Sequence, residues 1–139
     1  FITKFRSSLD NLGQNSNINY QFNSQTTSLH LDSLVEFELL RICQEALTNV
    51  KKHSGADNVE IQIRPVNNHI EVSITDNGCG FDVMAVNNNN GSKVEGHGLA
   101  VMQERAELIG GQFLVLSTPG HGTEVKVELP SNSHRSDPL

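Results

Sequence analysis

The stretch that most constrains this chain is Ile70-Glu71-Val72-Ser73-Ile74-Thr75 running directly into Asp76-Asn77-Gly78-Cys79-Gly80-Phe81. Ile70, Val72 and Ile74 alternate, so the segment reads as a strand with those three side chains on one face. Asp76 continues the register, which puts its carboxylate on the face that should be buried. A buried acceptor is costly unless it finds donors. Gly78 and Gly80 free the following backbone for positive φ and close approach to another molecule. A buried acceptor beside such a loop points to a pocket whose ligand supplies the donors. The same residues also fit an ordinary Asp-Asn-Gly turn in which Asp76 caps its own backbone.

At 139 residues the chain is expected to form one domain, 1–139, with a core of useful size. Ten Lys and Arg against sixteen Asp and Glu give a formal charge of −6, so no nucleic-acid partner is expected. There is no run of 18 apolar residues and no signal-peptide pattern. The chain reads as soluble and cytoplasmic, and as compatible with a piece of a membrane-anchored parent. Cys43 and Cys79 lack metal or redox spacing and read as reduced thiols. The six histidines are scattered, which gives no support for zinc.

Helical spacing runs from Phe1 to Leu12 with Gly13 as C-cap. After a polar linker, 14–17, Ile18 to Phe22 alternates as a strand, followed by a loop over 23–28. The longest periodic segment is Leu34 to Lys52, capped by Ser33 or Asp32 and stopped by Gly55. Leu39, Leu40, Cys43, Ala46, Leu47 and Val50 fill its apolar arc. Val59 to Arg64 and the strand ending at Asp76 form a hairpin about Asn67-Asn68. The polar segment 83–95 reads as a mobile loop, Leu99 to Ile109 as a second core helix stopped by Gly110-Gly111. Phe113 to Ser117 and Thr123 to Leu129 pair about Pro119-Gly120-His121-Gly122, and 131–139 reads as a frayed tail. Hairpins in place of alternating βαβ units suggest an α/β two-layer sandwich: a mixed sheet covered on one face by helices.

Chemistry gathers at four places. Glu45, Asn49 and His53 are spaced i, i+4, i+8 at the border of the apolar arc, with Lys52 beside them. A carboxylate, an amide oxygen and two cations suit a Mg²⁺-polyphosphate, since the hard cation keeps most of its waters and phosphate oxygens. A merely solvated helix flank has the same spacing. Asp76 and its glycines are the second place. The third is Gly96-His97-Gly98, expected to present free N–H groups ahead of a helix beginning near Leu99. It lacks the Walker A and Rossmann spacings. The fourth is Thr123, which shares the inward register of Val125, Val127 and Leu129 and would lie beside Asp76 if their strands are neighbours.

In this order, Gln44-Glu45-Ala46-Leu47-Thr48-Asn49-Val50-Lys51-Lys52-His53-Ser54, Asp76-x-Gly78-x-Gly80, Gly96-x-Gly98-Leu99 and Gly122-Thr123 closely resemble one family. It is the ATP-binding catalytic domain (HATPase_c, GHKL-type, Bergerat fold) of sensor histidine kinases, in a superfamily that includes gyrase and MutL. The Lys-His-Ser end of the helix and Gly98-Leu99-x-x-Met102-x-Glu104-Arg105-Ala106 through Gly110-Gly111 look like its nitrate-sensor-like branch. The resemblance covers about Asn17 to Pro130.

It implies ATP and Mg²⁺ as ligands. Asn49 would coordinate Mg²⁺, and Glu45 would polarise a metal-bound water or act as base, with Lys52 and His53 near the phosphates. Asp76 would accept from the adenine 6-amino group with Thr123 supporting it through water. Gly78, Gly80, Gly96 and Gly98 would shape the loops around ribose and phosphates, with Phe81, His97 and Leu99 also contacting nucleotide. Residues 82–95 would be the ATP lid.

The family's phosphoacceptor histidine lies on a separate dimerisation segment, and nothing in this sequence matches it; His30 is a poor candidate. The resemblance therefore implies an excised catalytic domain, monomeric, that binds Mg-ATP without autophosphorylating. Its partners would be that segment in the parent kinase and a downstream response regulator, with catalysis by positioning and electrostatics. The alternatives are an anti-sigma-factor-type serine kinase that sequesters a partner, disfavoured by the Lys-His-Ser ending, and a nucleotide-sensing pseudo-kinase, disfavoured by Glu45 and Asn49.

Overall fold

The computed structural model describes residues 1–13, 17–26, 29, 31–82 and 93–130. Five strands form one sheet in the order β1-β2-β3-β5-β4: β1 (Asn19–Ser24), β2 (Asn58–Val66), β3 (His69–Asp76), β4 (Gln112–Ser117) and β5 (Thr123–Pro130). β1 runs parallel to β2, as a pair joined by a crossover helix can, and the other pairs are antiparallel. Helices α1 (Ile2–Gly13), α2 (Ser33–Asn49) and α3 (Lys93–Leu108) complete the two-layer sandwich expected from the strand hairpins.

The sheet's inner rows are set by period-two registers. Ile61 pairs with Ile74 and Ile63 with Val72 across β2 and β3, and Val125 and Val127 of β5 continue those rows. Against them pack Leu39, Ile42, Cys43, Ala46 and Leu47 of α2 and Met102 and Ala106 of α3, all fully or nearly fully buried. Burial of these apolar surfaces is the main favourable term holding the layers together. α1 adds Phe5, whose ring meets Phe22 of β1 edge-on at 5.5 Å. On the opposite face, buried Glu71 of β3 is held by Arg64 at 2.8 Å, with Lys126 at 3.8 Å.

Two helix boundaries and one core position differ from the sequence expectations. α2 does not run regularly to Lys52: it ends at Asn49, and Val50–Ser54 form a π-helical turn closed by Gly55 at φ 66°. The Val50 N–H is shared between Ala46 O and Leu47 O, an i−4 and an i−3 bond that close α2 before the wider turn. α3 begins at Lys93, not near Leu99, so Gly96 and Gly98 lie inside the helix and not in a loop ahead of it. Leu40 is only half-buried, while Val35 and Ile42 belong to the core. Asp32 holds the N-cap position of α2 but makes no side-chain cap bond. The expected tail, most of the expected lid (83–92) and His30 lie outside the described residues.

Candidate functional site

Strand register alone assembles one end of the sheet. Asp76 is paired with Val59 on one side and Thr123 on the other, and Thr123 is paired with Ser117. Asp76 is 7% exposed, so its inward placement is as the alternation requires. Its Oδ1 accepts the Gly78 N–H at 2.8 Å, so the turn reading also holds in part: Asp76 caps its own loop while facing inward. Burial pushes the Asp76 carboxyl up from its ordinary range, opposed by hydrogen bonds from the Gly78 and Thr123 backbone N–H groups.

The loop after Asp76 is stitched down on two sides. Asn77 Oδ1 accepts the N–H groups of Asp57 and Asn58 at 3.1 and 3.0 Å, and its Nδ2 donates to Asp57 Oδ1 at 2.7 Å. From the β4–β5 hairpin, Gly120 N–H donates to Cys79 O at 2.6 Å. Ser117 Oγ accepts the Phe81 N–H at 2.8 Å, donates to Gly122 O at 3.1 Å and lies 2.8 Å from Thr123 Oγ1. The hairpin passes so near that a Cβ on Gly122 would strike the Asp76 carbonyl, and one on Gly80 the Thr118 carbonyl. Both glycines also have positive φ, 80° and 66°.

Between this row and the helices lies a cavity of about 140 Å³. Asp76, Thr123, Gly80 and Phe81 line it from the sheet and loop, Asn49 from α2, and Leu99 and Met102 from α3. Ala46, Val50, Ile74 and Val125 make its remaining walls largely apolar. Whole drug-sized sites run to roughly 300–1,000 Å³, so this slot suits one flat ring with the rest of a ligand outside it.

Of the residues expected to form the site, the structure brings Asn49, Asp76, Gly80, Phe81, Leu99 and Thr123 around this cavity. Gly78 contributes its N–H to Asp76. Glu45 lies one turn from Asn49, and a Cβ on Gly98 would come within 3.2 Å of Asn49 Nδ2 and 3.6 Å of Glu45 Oε1. Gly98 thus lets α3 close onto the polar flank of α2, a packing role where a free helix N-terminus was expected. Glu45 does not line the cavity; it faces a neighbouring groove with Arg41, Thr48 and Arg105. Lys52 is exposed in the π-helical turn and does not line the cavity. His53, in the same turn, and Gly96 and His97, in the first turns of α3, have surroundings outside the described residues. Sequence reasoning missed Ser117, although Phe113, Val115 and Ser117 share one face and the inward serine follows from that alternation.

A family model described as histidine kinase-, DNA gyrase B- and HSP90-like ATPase matches residues 35–133. The chain is 36% identical over 122 residues to the sensor histidine kinase LiaS of Bacillus subtilis, across 88% of this chain and 32% of that protein. It is 37% identical over 97 residues to the signal transduction histidine-protein kinase/phosphatase DegS of Brevibacillus brevis, across 69% of this chain and 23% of that protein. The chain therefore spans about a quarter to a third of the length of these curated relatives. Among solved structures, the ATP binding domain of PrrB from Mycobacterium tuberculosis superposes with TM-score 0.72 at 23% identity, covering 93% of each chain. The mycobacterial sensor histidine kinase MprB superposes with TM-score 0.73 at 23% identity, covering 98% of this chain and 96% of that one.

Proposed function

This chain belongs to the histidine kinase-, DNA gyrase B- and HSP90-like ATPase family, and from that premise we propose that residues 1–139 are one domain, the Mg-ATP-binding catalytic domain of a two-component sensor histidine kinase. The observation that carries the reading is a buried carboxylate, Asp76, at the edge of a largely apolar cavity. Such a group is stabilised by a ligand that donates, and the exocyclic amino group of adenine is a donor. Leu99, Met102 and Ile74 would hold the ring faces, while Asp76, supported by Thr123, fixes the ring edge.

The donor set fits the triphosphate and its cation. Asn49 would offer its amide oxygen to Mg²⁺, and Glu45, one helical turn away, would orient a metal-bound water or take a proton. When bound, Mg²⁺ supplies charge neutralisation along the phosphates during in-line transfer. Lys52 and His53 in the π-helical turn, and Gly78, Gly80, Gly96, His97 and Gly98, would border ribose and phosphates. The chain's own contribution is positioning: a rigid sheet row for the base and a helix flank for the phosphates.

The γ-phosphoryl group would pass to a histidine on a dimerisation segment of the parent protein and from there to a response regulator. Similarity to the histidine kinases LiaS and DegS favours this over a partner-sequestering serine kinase or a pseudo-kinase. Among the described residues no helix is long and apolar enough to cross a membrane, and we place the domain in the cytoplasm as a monomer. The test is phosphotransfer. Mixed with the parent's dimerisation segment and γ-labelled ATP, the chain should generate an acid-labile, alkali-stable phosphohistidine, and Asn49→Ala should abolish it. An acid-stable phosphoserine, or no label, would overturn the assignment.

A further inference from the structure

Counting protons gives the one arrangement that satisfies all three hydrogen-bond contacts of Ser117. Ser117 Oγ accepts the Phe81 N–H at 2.8 Å, and Gly122 O, 3.1 Å away, can only accept. The single Ser117 hydroxyl proton therefore goes to Gly122 O. With that proton on Gly122 O, the 2.8 Å contact with Thr123, in which either oxygen can donate, is completed by the Thr123 proton, and both lone pairs of Ser117 are filled. Thr123 has no other proton to give. Toward the cavity that both it and Asp76 line, its hydroxyl presents lone pairs only.

Resting on the ATP-binding reading above, we propose that Ser117 is the positioning residue for base selectivity: it holds Thr123 as an acceptor, so the site admits a ring edge bearing an amino group and turns away one bearing a carbonyl oxygen. Ser117 does not line the cavity and acts through Thr123. With Ser117 absent, the Thr123 hydroxyl is free to rotate and to donate to a carbonyl.

The test compares ATP with inosine triphosphate, which carries a carbonyl oxygen in place of the amino group and a proton on the neighbouring N1, by equilibrium titration of the chain. Wild type should prefer ATP. Ser117→Ala should reduce the ATP-to-ITP preference about tenfold, the worth of one good hydrogen bond, whereas Ser117→Thr, which keeps a hydroxyl, should restore it. In a Thr123→Val background Ser117→Ala should leave the preference unchanged. A purely structural role would weaken both nucleotides equally and keep the ratio, and that result overturns the inference while leaving the ATP site standing. If Ser117→Ala does not fold, a preference in Ser117→Thr/Thr123→Val equal to that of wild type overturns it as well. Failure of wild type to bind either nucleotide overturns the site reading and the inference with it.

Discussion

Replacing Gly122 with alanine separates two costs that the structure lets one calculate. Gly122 has φ 80°, where an L-residue is strained by about 1–2 kcal/mol. Its added Cβ would also enter the Asp76 carbonyl and approach Asn77 Cα at 3.3 Å, adding an overpacking cost of about 1–3 kcal/mol. Gly120, in the same hairpin, has nearly the same φ, 82°, but open space where its Cβ would go. Gly120→Ala therefore reports the strain alone, and Gly122→Ala should cost about 2–5 kcal/mol in all. Domains have only about 5–15 kcal/mol of stability, so urea denaturation should show a midpoint lowered by about 1 M or more at unchanged slope. Because the strained contact is with Asp76, ATP affinity should fall about tenfold or more in Gly122→Ala and change little in Gly120→Ala. Equal stability and equal affinity in the two variants would refute the claim that the hairpin braces the Asp76 backbone.

Four further outcomes follow from Asp76, Arg105 and Asn77. Burial holds the Asp76 carboxyl above its ordinary 3.8 in the ligand-free protein, and an amino donor favours the ionised form. ATP affinity should therefore fall as pH drops through the raised value, with proton release on binding, read by calorimetry in two buffers; proton uptake would contradict it. By the same shift, Asp76 contributes stability below pH 3.8 that is lost as pH rises through the raised value, and Asp76→Asn should flatten that part of the profile. Arg105 forms an ion pair across the two helices with Glu38, which is 6% exposed. Arg105→Ala should cost about 2–3 kcal/mol by urea denaturation, below the range for fully buried pairs because Arg105 is partly solvated, and Glu38→Leu with Arg105→Leu should recover most of it. Asn77→Ala removes three hydrogen bonds that tie the loop to Asp57 and Asn58 at the start of β2; it should lower stability by about 1–3 kcal/mol and weaken ATP binding without altering Asp76 itself.

What the sequence could reveal depended on whether a local pattern decided the structure. Asp76 and Thr123 lie on strands whose alternation fixes the facing of every side chain, so both were placed correctly, and their pairing followed once β3 and β5 became neighbours. Gly98 misleads because glycine disfavours helices locally, yet here α3 passes so close to α2 that a Cβ at Gly98 would crowd Asn49 Nδ2 at 3.2 Å. The π-helical turn at Val50–Ser54 had no sequence signature at all, since it arises from a bond registry that tertiary packing selects. Ser117 closes the strand read from Phe113, and nothing local in the sequence marks the three partners that make it the centre of the hairpin's polar network.

The central claim is that Asp76 reads an adenine ring in the cavity beneath α2 and α3. A calorimetric titration of Mg-ATP into wild type and Asp76→Asn, with GTP as control, tests it most directly. Binding in the micromolar to sub-millimolar range, lost in the variant and absent for GTP, is the predicted result. ATP binding that survives Asp76→Asn, or equal binding of GTP, would contradict it.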